Sequence, residues 1–272
     1  MTVAQEKIGG APARSERQGR EFVARGSVVR KMWGDPEVVL LVFAGAAAEF
    51  ALNRAVDWLF FTGKIPGDPF GRLFSTVRYA REIVFADEET ARRTLARINA
   101  AHAGVESSRG QTIPEWAYRD VLYMLIDYSE RAHNLLYGAL TIPEREELYA
   151  VFRRVGEGLN VKELPDDYES WREDRRAHME RDLAYGRHTA LLYDSYRRHL
   201  GEWRYQLLLQ VQALLVPERV RGLLRLKQRA VFSAAVEVYA LLPVPGLRAL
   251  LRRLLLRPRY WGQIAELERR PA

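Results

Sequence analysis

Asp68-Pro-Phe-Gly-Arg-Leu-Phe-Ser-Thr76, followed one helix later by His102, is the stretch on which the reading of this chain turns. Asp68 is a good N-cap and Pro69 a good first helical residue, so local chemistry starts a helix here. Phe70, Leu73, Phe74, Val77 and Val84 keep the helical period, which sets Arg72 and Thr76 one turn apart on an adjoining face. A second helix opens at Asp87, with Glu88 and Glu89 at the positive end of its dipole, and is expected to close near Gly104. Ala91, Leu95, Ile98 and His102 recur at spacings of four, three and four, so the imidazole is expected to point inward. A buried imidazole needs a partner, and a backbone carbonyl, a carboxylate or a metal would each serve. Spacing alone does not choose among them.

Outward from this pair, helical patterns fill the chain and strand patterns are nearly absent. Ser27 to Gly34 reads as a short helix that tucks Met32 and Trp33 onto the core. Pro36 opens an Ala- and Leu-rich helix expected to run to about Phe60. Within it, Glu49 sits among Ala46, Ala47, Ala48, Phe50 and Ala51. A carboxylate in such company either pairs with an arginine or is a candidate proton-transfer group, and Asp57 is a weaker candidate of the same kind. Residues 61–67 form a Gly/Pro loop, and 103–112 read as a polar loop able to act as a lid or as a plain connector.

Pro114 starts a long helix to about Leu140, with Tyr118, Leu122, Leu125, Ser129, Ala132 and Leu136 on one face. Asp127 and His133 fall off that stripe, which makes His133 a distant second choice as a ligand. Thr141 and Glu144 spell a capping box for a helix that stops at Gly156 and Gly158. Leu164-Pro-Asp-Asp167 launches a helical region through Leu200, with a kink expected at Gly186. His178, His188 and His199 along it are about three turns apart, too far for one metal, so a multinuclear histidine site is disfavoured.

Composition bounds the chemistry. The chain has 272 residues, 48% of them hydrophobic and 28% charged, as expected of a globular protein with a substantial core. It has no cysteine, which removes disulfides, thiolate-ligated haem, iron–sulfur clusters and cysteine nucleophiles together. The net charge of +7 is interleaved along helix faces, as in Trp171-Arg-Glu-Asp-Arg-Arg-Ala-His178, and no nucleic-acid motif accompanies it. No signal peptide or spanning segment is read, so a cytoplasmic location is expected. Gly246 to Trp261 is a basic amphipathic segment that would either cover the core or a dimer seam, or touch the inner face of a membrane. The expected organisation is an arm at 1–25, one all-α domain at 26–242 and this C-terminal segment at 243–272. The oligomeric state is not readable.

The order Lys31-Met-Trp-Gly-Asp-Pro36, an Ala-rich helix, Asp-Pro-Phe-Gly-Arg-x-x-x-Thr76, an Arg-rich helix ending in His102-x-x-Val105, and Leu164-Pro165 resembles the MpaB-type oxygenases, grouped with the catalytic domain of the latex-clearing proteins. The similarity covers roughly residues 28–225. It implies an all-helical bundle with a haem b pocket between central helices, and an oxygenase acting with O2 on a small apolar substrate, an isoprenoid or other alkene among the candidates. Carried over, His102 resembles the proximal haem ligand, and Arg72 and Thr76 the residues beside the haem. Glu49 or Asp57 would then be candidates for proton abstraction. Rubber oxygenases carry a lysine just before the threonine, where this chain has Ser75, so polyisoprene cleavage is not inherited. The His-Pro pair common before the Arg is replaced here by Leu52-Asn53-Arg54, and the Gly that often follows His-x-x-Val is absent, with Ser107 and Ser108 in the region. The alternatives are a non-catalytic helical protein that binds haem or another apolar ligand, peripheral to a membrane or not, and a peroxide-using enzyme on the same fold.

Overall fold

The computed structural model describes residues 20–61 and 69–232, with isolated positions at 234, 258, 261, 262 and 265; the side chains of Leu59, Phe61, Pro69, Phe70, Arg72 and Leu73 are also outside the described set. Asp68, the loop after Phe61, the first nineteen residues and nearly all of the C-terminal segment therefore lie outside it.

The described residues form helices with no strand, in the order α1 (Val28–Gly34), α2 (Pro36–Phe50), α3 (Asp57–Phe61), α4 (Pro69–Phe85), α5 (Glu88–Arg109), α6 (Glu115–Tyr137), α7 (Ile142–Gly158), α8 (Tyr168–Asp182), α9 (Arg187–Leu200), α10 (Glu202–Leu215) and α11 (Glu218–Leu223). Local chemistry starts most of them. The Asp35 carboxylate accepts from the Glu37 and Val38 amides at 2.8 and 3.3 Å ahead of Pro36, Asp87 accepts from Thr90 N at 2.7 Å, and Asp167 from Ser170 N at 2.8 Å. Of the Thr141–Glu144 capping box, the glutamate half forms as its spacing predicts, the Glu144 carboxylate accepting from the Thr141 amide at 2.9 Å and from the Thr141 hydroxyl at 2.8 Å.

Two helices make the centre. α2 and α6 pack along most of their lengths, closely enough that a Cβ on Gly45 would stand 2.3 Å from the Tyr128 ring. α1 and α10 flank α2, α7 and α8 flank α6, and α4 and α5 pair beside them. Met32 and Trp33 are buried as expected, with the Trp33 ring against Phe43 and Phe152.

Four boundaries depart from the sequence reading. α2 ends at Phe50 instead of continuing to Phe60, because residues 51–56 pair with the chain after α8: Arg54 N donates to Asp182 O at 3.0 Å and Ala184 N to Leu52 O at 2.8 Å. That pairing also turns the expected kink at Gly186 into a full break between α8 and α9. α5 runs through Gly104 to Arg109, so the expected 103–112 loop and its lid are absent. Gly104 costs a helix only about 1 kcal/mol relative to Ala, and the left-handed Gly110, at φ 68°, ends it with a bond to Glu106 O. Within residues 20–25 of the expected arm, Phe22 and Val23 are buried and Phe22 N donates to Ala86 O, while residues 20, 24 and 25 stay exposed.

Candidate functional site

The α5 stripe begins in the core and ends partly open. Ala91 and Leu95 are buried, whereas Ile98, His102, Val105 and Arg109 are half-buried. The imidazole of His102 therefore faces inward, as the spacing predicts, but is not sealed. Its ring lies 5.2 Å from that of Tyr118 on α6, tilted by 50°. Tyr118 in turn donates to Glu106 Oε1 at 3.2 Å, and the same oxygen accepts from Ile113 N at 2.7 Å. One carboxylate thus ties α5, the turn after it and α6 together. Burial, and then the charge of Glu106, raise the Tyr118 pKa well above that of a free phenol, so it stays a hydrogen-bond donor.

Two turns along α5, Arg109 donates to Asp57 Oδ2 at 2.6 Å and lies 4.0 Å over the Trp58 ring, fastening α3 to the end of the His102 helix. Asp57 is thus held by a guanidinium. Across α3, Phe60 stacks on His188 with centroids 4.6 Å apart. Thr76 and Ser75 are half-buried on α4, between the buried Phe74 and Val77; Arg72 belongs to the same helix, but its side chain is outside the described residues. His133 is half-buried at the far end of α6, its Nδ1 3.1 Å from Gly138 O.

A second set of polar groups is sealed between α2, α6 and α8. Arg175 donates both terminal nitrogens to Glu49 at 2.5 and 2.6 Å and also reaches Asp127 Oδ2 at 3.0 Å, while Tyr128 donates to Glu49 Oε2 at 2.9 Å. Of the two readings open for Glu49, the arginine pair is the one observed. Burial works against the Arg175 charge, but Glu49 and Asp127 outweigh it and hold its pKa well above normal. With its lone pairs occupied by a bidentate guanidinium and a phenol, Glu49 anchors α8 to α2. Asp127, expected off the packed face, is drawn inside by the same guanidinium.

One turn along α8 lies a group the sequence reading missed. His178 Nδ1 is 2.7 Å from Asp120 Oδ1 and 3.2 Å from Asp182 Oδ2, and Asn53 donates to Asp120 Oδ2 at 2.6 Å. All four residues are buried. The ligand atoms of Asp120, His178 and Asp182 lie within 4.8 Å of one another, close enough to hold a metal ion. Comparing histidines only with one another hid this; the His178-x-x-x-Asp182 spacing was the available signal.

With this geometry in hand, comparison with known proteins places the chain in a family: residues 30–252 match the model described as ER-bound oxygenase mpaB/B'/Rubber oxygenase, catalytic domain, and the chain belongs to it. No curated protein and no solved structure matches. Membership supports an oxygenase-type activity. No helix of the described residues is long and apolar enough to cross a membrane.

The family implies a bound metal or haem. His102 has donor chemistry compatible with a haem iron, an imidazole being a common haem ligand, and it stands half-buried on a helix against an aromatic ring; the described residues do not themselves outline a haem pocket.

Proposed function

We propose that the chain is a haem b-dependent oxygenase or related oxidoreductase acting with O2 on a small apolar substrate, an isoprenoid or other alkene being the class the family favours. The observation that carries this reading is His102: an inward-facing, incompletely covered imidazole, in the chain of an oxygenase family, on the helix that the Gly71-Arg-x-x-x-Thr76 element precedes.

Bound haem would supply the oxygen chemistry. The chain's own residues would do the rest. His102 would hold the haem iron, its ring orientation set by the Tyr118 contact and by the Glu106 link between α5 and α6. Arg72 would neutralise a propionate, since a guanidinium is charged at every working pH and forks onto carboxylates. Thr76 would contribute a small hydroxyl near the haem, and Ser75 stands where the rubber oxygenases carry a lysine. Asp57 is the better of the two carboxylates for a proton-transfer role, because Glu49 has both oxygens committed to Arg175. A cytoplasmic location, with the basic 246–261 segment against the inner face of the membrane, completes the proposal.

The test is reconstitution with hemin. A Soret band that His102→Ala abolishes or shifts, with the helical content unchanged, is the expected result. A protein that takes up no hemin, or whose band is indifferent to His102→Ala, overturns it. Oxygen uptake with alkenes, compared with turnover driven by peroxide, then separates the oxygenase from its peroxide-using alternative.

A further inference from the structure

We propose that Asp120, His178 and Asp182 form a binding site for one divalent first-row cation, of the Zn2+ or Mn2+ class, separate from the haem ligand set. The argument begins with the imidazole. His178 is 1% exposed, and both of its ring nitrogens face carboxylates: Nδ1 faces Asp120 and Asp182, and Nε2 faces Asp174 Oδ2 at 3.6 Å, too long for a hydrogen bond. A neutral ring carries one hydrogen. In either tautomer a lone pair is then aimed at a carboxylate oxygen inside the protein, which is repulsive unless positive charge intervenes.

A cation answers this better than a second proton would. A proton on Nδ1 serves one of the two oxygens well and leaves the other weakly met, whereas a metal bonds both. Donors bound at about 2.1 Å in tetrahedral or octahedral geometry sit roughly 2.9–3.4 Å apart; the 3.2 Å from Nδ1 to Asp182 falls in that range, and the 2.7 Å to Asp120 would have to open by about 0.2 Å to admit the ion. Charge points the same way. Asp120, Asp174 and Asp182 surround the ring, and Arg181, bonded to both oxygens of Asp182 at 2.8 and 2.9 Å, offsets only one of them. A divalent ion balances the remaining two with the imidazole neutral.

The surroundings have the form such a site takes. With the metal on Nδ1, the hydrogen moves to Nε2, whose nearest acceptor is Asp174, itself steadied by the Tyr123 hydroxyl at 2.7 Å; this is the outer carboxylate that commonly orients a ligating histidine. At present Nε2 is buried without a hydrogen bond. Asn53 fixes the second oxygen of Asp120, leaving Oδ1 turned to the ring. His178 and Asp182, four residues apart on α8, present their donors on one face, and Asp120 reaches them from α6. The ligands come from two helices that also share the Arg175 network, so the role assigned is to lock α8 onto α6. One imidazole and two carboxylates favour a borderline or hard divalent ion over a soft one.

The deciding measurement is elemental analysis of the full-length protein, purified without chelator from cells grown with manganese, zinc and iron, alongside a separate haem determination. About one equivalent of non-haem divalent metal per chain is expected. It should persist in His102→Ala and fall at least tenfold in the near-isosteric Asp182→Asn and in His178→Gln. Added Mn2+ or Zn2+ should raise the melting temperature of chelator-treated protein and leave that of Asp182→Asn unmoved. Should Asp182→Asn fail to fold, the wild-type metal content and the melting shift decide the matter alone. Protein that carries no non-haem metal and melts at the same temperature with or without added ions overturns the proposal, as does metal that is lost with His102→Ala.

Discussion

The interior between α2, α6 and α8 and the outer half of the α5 stripe each hold a histidine, in opposite surroundings. In the first, Glu49, Arg175, Tyr128, Asp127, Asp120 and His178 are buried and held by one another. In the second, Ile98, His102 and Val105 start from a fully buried base at Ala91 and Leu95 and stop half-covered. Buried ions without partners are expensive, so the Glu49, Arg175 and Asp127 charges of the first region are matched within it, while Nε2 of His178 is left without a hydrogen bond. The second retains a half-covered imidazole on a helical support, against the Tyr118 ring.

The contrast can be broken by substitution. Arg175→Met strands Glu49 as an uncompensated charge, and urea denaturation should register a loss of about 3–5 kcal/mol, partly recovered when Glu49→Gln is added. A loss below about 1 kcal/mol would mean that the interior admits water and that the two regions do not differ in kind. Gly45→Ala drives a methyl into the Tyr128 ring at the α2–α6 contact, with an expected cost of about 1–3 kcal/mol by the same method. Gly104→Ala sharpens the comparison from the other side. Its Cβ would meet nothing within 4 Å, so removing a helix-interior glycine should stabilise the protein by about 0.5–1 kcal/mol.

The smallest effect is expected at the exposed entrance to α5, and it should depend on pH. Bonds from Thr90 hold the Asp87 carboxyl below its ordinary value. A depressed carboxyl stabilises the fold above its unfolded pKa, and the contribution disappears as pH falls through the folded one. Asp87→Ala should therefore melt slightly below the wild type near neutrality, and the two curves should converge in acid below about pH 4.

Much of the fold was readable because it rests on short-range chemistry. The Asp35-Pro36 start, the Asp87 and Asp167 caps and the Thr141–Glu144 box involve residues two or three apart, and the structure has them where the spacing put them. The inward direction of His102 was equally a matter of periodicity. The ends of α2 and α8 were not readable, because the 51–56 turn is held by backbone bonds to residues well over a hundred positions away. The partners of His178 were hidden for the same reason: Asp120 and Asn53 lie on other elements, and only Asp182, one turn on, stood within reach of a spacing argument.

By itself, then, the order of residues determined that the described residues form helices and no strand, where most of those helices begin, which face of α5 turns inward, and, through the motifs of residues 31–36, 68–76 and 102–105, which family the chain resembles. These follow from torsional preference, capping and period, which act within a turn or two. Tertiary structure alone decided which charges are buried together, where α2 and α8 break, and that His102 remains part-open while His178 is enclosed. Desolvation and ion pairing depend on what is brought close from far along the chain, and no local pattern carries that information.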